Sequence, residues 1–381
     1  MRRNYNFQGI CVGVLWVLII LLAREEDADA DPNADGLALK SMPASFIFGD
    51  SLTDVGTNNH LTYCFAKSNF PWYGIDYNGG IPTGRFTNGR TIPDIIFEKL
   101  GLPNPQAYLS MSADDDAVLK GANYASGGAG ILNETGFLFI DRVSFDKQIH
   151  EFEVTKQRLN NKVGEQAAQK FLNEAIYFVL IGSNDYINNY LLPVPTNAQQ
   201  YDPHQFVDLL ITSLQRQLKR IYEIGARKIV FNGMGPLGCI PSQRRQNPAG
   251  DGSCIEDVNT WARKFNVKIK TLLRQLNSQL PEVKITYVDT YALLMELIQN
   301  HRKYGFEVWD APCCKVDTTF GQFCLPNSSL CKDRSKYVFW DAFHPSDAAN
   351  EVMARLVLSH PDFLQFTPPP APAPAPAPWN F

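Results

Sequence analysis

"SFIFGDS", residues 45–51, runs from three large apolar side chains straight into Gly49, Asp50 and Ser51. Three further runs share this form: "YFVLIGSND" (177–185), "KIVFNGMG" (228–235) and "KITYVDTY" (284–291). Each is short and rich in β-branched or aromatic residues, and each ends in a polar or glycine-containing turn. Such runs are expected of strands buried on both faces, which is the condition of a parallel sheet. A shorter strand at "ANYAS" (122–126) would be a fifth. Helical patterns lie between the runs. "DLLITSLQRQLKRIYEIGA" (208–226) places Leu209, Leu210, Leu214, Leu218, Ile221 and Tyr222 on one face, with Gly225 as its stop. "VNTWARKFNVKIKTLLRQL" (258–276) has the same pattern. Strand alternating with helix predicts an α/β protein, a three-layer α/β/α sandwich around a mostly parallel, five-stranded sheet with right-handed crossovers.

The 381 residues are 45% hydrophobic and 19% charged, which suits a large core, and the formal net charge is −4. The charge balance and the lack of a long basic run leave nucleic-acid binding without an electrostatic footprint. The N-terminus reads as a leader. Arg2 and Arg3 precede the apolar run "ICVGVLWVLIILLA" (10–23), which is short for a membrane span. "ADA" (28–30) offers small residues for cleavage, and cleavage after Ala23 or retention as an anchor are alternatives. No other segment is long and apolar enough to span a bilayer. Residues 1–30 are thus a signal peptide, 31–367 a single domain, and 368–381 a Pro/Ala-rich tail expected to be extended and solvated.

Secretion decides how the cysteines read. Cys11 lies in the leader. Six others fall in two groups, Cys239 with Cys254, and Cys313, Cys314, Cys324 and Cys331. In an oxidising compartment these make three disulfides. Adjacent Cys313 and Cys314 are poorly placed to bond each other, so each pairs with Cys324 or Cys331, in an order left open. A zinc site is the alternative, though the adjacent pair lacks the usual ligand spacing. Cys64 is left over, as a buried free thiol or an intermolecular bridge. "NET" at Asn133 and "NSS" at Asn327 are glycan acceptor triplets.

Reactive groups of an open parallel sheet collect at the carboxyl ends of its strands. There this chain has Ser51, "SGGAG" (126–130) and "GSND" (182–185); near its C-terminus, "FWDAFHPSDAANEV" (339–352) sets Asp341 and His344 three residues apart before a helix. Singly each has a bland reading, as a turn, a helix start or a helix cap. There is no Gly-x-Ser-x-Gly elbow. The motifs "FIFGDSLTDVGTNN", "NFPWYGIDY", "PTGRFTNGRTIPD", "GANYASGGAGI", "GSNDYINNY", "GARKIVFNGMGPLGCIP" and "YVFWDAFHPSDAAN", in this order, resemble the secreted plant type of GDSL esterase/lipase in the SGNH hydrolase superfamily. The resemblance runs from about residue 44 to 360; the Ala-Pro tail and Cys64 lie outside it. It implies a flavodoxin-like sheet and ester hydrolysis with no metal and no cofactor. Ser51 matches the nucleophile, and Asp341 and His344 the other triad members. Ser51, Gly128 and Asn184 match the oxyanion donors. Glycine at 128 is expected because a side chain would crowd the tetrahedral centre. His60, His150, His204, His301 and His360 lack this context and are expected to be structural or surface residues.

The implied substrate is an acyl or lipid ester, with acyl transfer to build extracellular polyester as the alternative outcome at the same motifs. A catalytically silent wall protein is a further alternative. The loop "NFPWYGIDYNGGIPTGRF" (69–86) either faces substrate or packs on the sheet. The tail could associate with the cell wall, and the implied location is extracellular.

Overall fold

The computed structural model describes residues 44–112, 116–246, 250–315 and 323–360. The leader at 1–30 and the tail at 368–381 lie outside the described residues. Five strands, β1 (Ser45–Gly49), β2 (Gly121–Asn123), β3 (Ile176–Leu180), β4 (Lys228–Asn232) and β5 (Lys284–Val288), form one sheet in the order β2-β1-β3-β4-β5. Every pairing is parallel. The predicted strands are all present. Each ends a few residues earlier than its apolar run, because the polar tail of the run leaves the ladder to form the turn at the sheet's edge.

Alternation along the strands separates two cores. Phe46, Phe48, Tyr177, Val179, Ile229 and Phe231 enter one cluster, and Ile47, Phe178 and Val230 the other. Period-two alternation with both faces apolar requires helices on both sides. Among the described residues seven helices of nine residues or more supply them: α1 (Ile92–Leu100), α2 (Phe145–Val163), α3 (Glu165–Glu174), α4 (Pro203–Ile224), α5 (Glu256–Gln279), α6 (Thr290–Gln299) and α7 (Asp347–Leu358). α2, α4 and α5 bury Phe152, Leu214 and Phe265 in the first cluster, while α1 and α7 bury Ile96 and Ala354 in the second. The two helices foreseen in the sequence are α4 and α5, and Gly225 caps α4 with a backbone N–H to Ile221 O.

Local chemistry sets the boundaries that matter for the site. α1 begins at Thr91, whose hydroxyl accepts from Asp94 N while the Asp94 carboxylate accepts from Thr91 N. α7 begins at Ser346, which accepts from Ala349 N. Two further strands, β6 (Val308–Pro312) and β7 (Tyr337–Phe339), pair in parallel apart from the main sheet. β7 leads directly into the turn bearing Asp341 and His344.

The sheet order reverses direction between β1 and β3, and ligands of such sheets bind at that crevice, beyond the strand ends. Gly49 pairs with Leu180 in register, so the turns after β1 and β3 emerge side by side.

Candidate active site

Ser51 sits two residues past β1. Asp50 N still donates to Leu180 O (3.2 Å), and Thr53 N and Asp54 N donate to Asp50 O, so the chain turns at once. Ser51 is not among the non-glycine residues with positive φ, so no strained elbow is needed to present it. Gln148 of α2 clamps the strand end: its Oε1 accepts from Gly49 N (2.9 Å) and its Nε2 donates to Gly49 O (2.8 Å).

Asp341 and His344 arrive from the other end of the chain. The turn is closed by Trp340 N donating to His344 O (2.8 Å). His344 Nδ1 lies 2.8 and 2.9 Å from the two Asp341 carboxylate oxygens, and Nε2 lies 2.8 Å from Ser51 Oγ. A carboxylate beside Nδ1 holds the proton there, which leaves Nε2 as acceptor for the serine hydroxyl. Asp341 Oδ1 also accepts from the backbone N–H of Phe343 (2.9 Å) and His344 (2.8 Å). Both residues are buried.

The fourth contact to this carboxylate was not legible in the sequence. Tyr73 donates its hydroxyl hydrogen to Asp341 Oδ2 at 2.8 Å and accepts from Cys324 N at 3.3 Å. Burial, and then the Asp341 charge, push the phenol well above its usual range, so it stays a donor. The 69–86 loop therefore faces the site, as one of the two foreseen alternatives had it, and its inward packing is on the triad and the cysteine cluster rather than on the sheet. Tyr73 packs inward on the triad, and Phe86 lines the site cavity with its ring 5.3 Å from that of His344.

The cysteines pair as Cys239–Cys254, Cys313–Cys331 and Cys314–Cys324. This resolves the open connectivity of the four-cysteine cluster. The Cys314–Cys324 bridge holds the residue whose amide supports Tyr73. Cys64 is free and buried, and burial pushes its thiol up to about 11, which makes it unreactive.

The structure brings Gly128 and Asn184 to the same cavity as Ser51. The backbone N–H groups of Ser51 and Gly128 have no acceptor among the described residues. Asn188 Nδ2 donates to Asn184 Oδ1 (2.6 Å), which fixes the Asn184 amide, and Asn184 Nδ2 donates one hydrogen to Ala129 O (2.9 Å). Its second hydrogen has no such partner. Glycine at 128 also answers to the backbone and to a neighbour. Its φ is +82°, and an added Cβ would fall 2.5 Å from the Phe139 ring. The left-handed backbone and the neighbouring aromatic ring both disfavour a side chain there.

Buried acids hold these loops together. Asp54 accepts from Gly56 N and Thr57 N (both 2.7 Å) and from Gly127 N (2.9 Å), tying the serine turn to the glycine loop. Asp185 turns away from the cavity to accept from Ile131 N, Leu132 N and Thr135 Oγ1. Burial pushes Asp54 and Asp185 up to about 6, and Asp50 up to about 7. The sequence showed these acids within their motifs but gave no sign of their partners. His60, His150, His204 and His360 are exposed, and His301 is half-buried with Nδ1 at Ile298 O. Asn133 and Asn327 are both exposed.

The cavity beside Ser51 measures about 600 Å³, within the roughly 300–1,000 Å³ of small-molecule pockets. It extends over the ends of β3 and β4 toward α6 and α7, where Ile187, Leu191, Met234, Leu237, Leu294 and Met353 line it.

Comparison with known proteins identifies the family. The model of the GDSL-like Lipase/Acylhydrolase family matches residues 46–357. The Arabidopsis thaliana protein GDSL esterase/lipase At5g37690 is 53% identical over 317 residues, covering 83% of this chain and 88% of the relative. GDSL esterase/lipase At1g74460 of the same plant is 48% identical over 322 residues, covering 84% of this chain and 87% of the relative. Among solved structures, the lipase Lip_vut3 from a goat rumen metagenome aligns with 82% of this chain and 95% of its own, at a TM-score of 0.36 and 14% identity.

Proposed function

The chain belongs to the GDSL-like lipase/acylhydrolase family and is a carboxylic ester hydrolase, and from that premise we propose that it is a secreted serine esterase/lipase working through an acyl-enzyme on Ser51. The observation that carries this reading is the 2.8 Å contact between Ser51 Oγ and His344 Nε2, across 293 residues of chain. Ser51 Oγ attacks the ester carbonyl while His344 Nε2 takes its proton. Asp341 keeps the proton on Nδ1 and stabilises the imidazolium that forms. The N–H groups of Ser51 and Gly128, with the free hydrogen of the Asn184 amide, receive the charge on the carbonyl oxygen. His344 then returns its proton to the leaving alcohol oxygen, and the C–O bond breaks. Water, activated by the same nitrogen, attacks the acyl-enzyme to release the acid and restore Ser51.

The apolar part of the cavity, lined by Ile187, Leu191, Met234, Leu237, Leu294 and Met353, suits an acyl chain, since alkyl groups gain from leaving water. The assembled residues weigh against a catalytically silent wall protein. Among the described residues no helix is long and apolar enough to cross a membrane. Three disulfides and exposed asparagines in both acceptor triplets support an extracellular, glycosylated protein. Wall association through the tail belongs to the same reading, in which turnover of a soluble ester does not need residues 368–381.

A fluorophosphonate probe tests the mechanism. It should label the secreted protein once, at Ser51, and Ser51→Ala should lose both labelling and turnover of p-nitrophenyl butyrate. Labelling at another serine, or activity retained in Ser51→Ala, would overturn the assignment.

A further inference from the structure

Nine large apolar side chains stand exposed among the described residues, and five of them lie on two short segments: Tyr63 (72%), Phe65 (66%), Phe137 (42%), Leu138 (50%) and Ile140 (58%). The segments are one structure. Cys64 bridges Ile140 in antiparallel fashion, and Phe65 N donates to Phe139 O at 3.1 Å. This patch borders the cavity, because Leu138 and Phe139 line it with Ser51. A sixth exposed side chain, Val194 (41%), directly follows Leu192 and Pro193, which line the same cavity, and Gly136 N donates to Asn188 O between the two rims.

A soluble protein exposing apolar side chains in one contiguous group marks a contact surface, whereas scattered ones need no explanation. The backbone makes the same point. Ile140 lies at φ +63°, ψ −70°, and Asp141 N donates to Phe139 O at 2.8 Å. This is a γ-turn of the strained kind, at a β-branched residue. The strained turn holds the Ile140 side chain out at the surface, where burial within the chain does not offset the strain.

We infer that the rim formed by Tyr63, Phe65, Phe137, Leu138, Ile140 and Val194 docks the protein onto a condensed, uncharged acyl-ester phase. The inference rests on the ester-hydrolase reading, since its occupant is that reading's substrate in bulk. The surface is continuous with the acyl cavity, so a chain entering the cavity leaves its own phase without crossing water. Hydrocarbon demands no hydrogen-bond partners, and these side chains offer almost none. The formal net charge of −4 supplies no attraction to anionic headgroups, so adsorption is driven by apolar burial and is insensitive to salt.

The test uses protein secreted from a eukaryotic host, so that any glycan at Asn133, four residues before Phe137, is in place. Wild type and Tyr63→Ser/Phe65→Ser/Ile140→Ser are floated with trioleoylglycerol droplets coated in phosphatidylcholine, at low and high salt. None of the three residues lines the cavity. Full burial of one such side chain is worth on the order of tenfold in partitioning. The triple variant should therefore adsorb at least about tenfold more weakly, with kcat/KM on p-nitrophenyl butyrate within about twofold of wild type. If Ile140→Ser impairs folding, Tyr63→Ser/Phe65→Ser gives the same comparison. Equal adsorption of variant and wild type overturns the inference, as does wild-type adsorption that vanishes at high salt. A wild-type dimer in solution that the variant abolishes also overturns it, by assigning the rim to a second copy. Wild type that adsorbs yet cleaves no ester would defeat the hydrolase reading and leave the surface standing; cleavage of soluble ester without adsorption would do the reverse.

Discussion

Replacing Tyr73 by Phe removes one oxygen and leaves the ring. That oxygen donates to the buried Asp341 Oδ2 at 2.8 Å and accepts from Cys324 N at 3.3 Å. A hydrogen bond to a charged group is worth about 1.5–3 kcal/mol, and a buried donor left without an acceptor costs about 1–3 kcal/mol. The two losses share one atom and are not additive, so Tyr73→Phe should destabilise the fold by roughly 3 kcal/mol. The catalytic loss should be smaller. Asp341 keeps its contacts from Phe343 N, His344 N and His344 Nδ1, so it stays close to its place. A share of about 1.4 kcal/mol lost from the transition state is a tenfold fall in kcat. Removing the triad carboxylate itself costs about 10⁴ in a serine protease. Tyr73 does not line the cavity, so KM for p-nitrophenyl butyrate should be unchanged. Urea denaturation gives the stability, steady-state kinetics separate kcat from KM, and the rate of fluorophosphonate labelling should fall with kcat. A variant with wild-type denaturation and wild-type kcat would show that the Tyr73–Asp341 contact carries neither load. A rise in KM alone would move Tyr73 into substrate binding and refute the positioning argument.

Cys314→Ala/Cys324→Ala should lose about 2–3 kcal/mol of stability and reproduce the kcat defect of Tyr73→Phe; the two sets of substitutions combined should show less than the sum, and full additivity in kcat would mean that Cys324 does not act through Tyr73. Gly128→Ala should lower kcat by about 10²–10³, the cost of an oxyanion donor, because a Cβ at φ +82° and 2.5 Å from the Phe139 ring forces the loop, and with it the Gly128 N–H, out of place; a wild-type kcat would mean that this N–H does not receive the charge. Stability should fall as pH rises from 5 to 7: burial raises Asp50 and Glu151 to about 7 and Asp54 and Asp185 to about 6, so in that window the folded chain holds protons that the unfolded chain releases. Each such group contributes a slope of up to about 1.4 kcal/mol per pH unit, favouring the folded state at the acidic end. Asp50→Asn should flatten the curve measured by denaturation midpoints, and a midpoint that climbs over this range would contradict the assignment.

The fold class was legible because its determinants are local. Short runs such as 45–49 and 228–232 are apolar almost throughout and end in polar or glycine turns, α4 and α5 carry a 3.6-residue stripe, and Gly225 ends α4 where a stop was read. A parallel sheet sends every strand's end to one edge, so Ser51, Gly128 and Asn184 could be expected together before any distance was known. The Asp341–His344 pair is local too, since both contacts lie within one turn. What bears on this turn from elsewhere was not legible. Tyr73 is 268 residues from Asp341, and Gln148 is 99 from Gly49. No periodicity relates such pairs, and many tyrosines and glutamines would satisfy the same composition. The Cys313–Cys331 and Cys314–Cys324 pairing likewise depended on which side of the chain each sulfur faced, which adjacent residues in the sequence do not reveal. The contact of Phe139 with Gly128 was hidden for the same cause, because the ring reaches it only once the glycine loop and the 137–140 turn have packed. Short-range order follows from backbone geometry and side-chain periodicity, whereas contacts between distant segments are chosen by the packing of the whole core, so only the tertiary structure could decide what holds the triad in place and what surrounds its mouth.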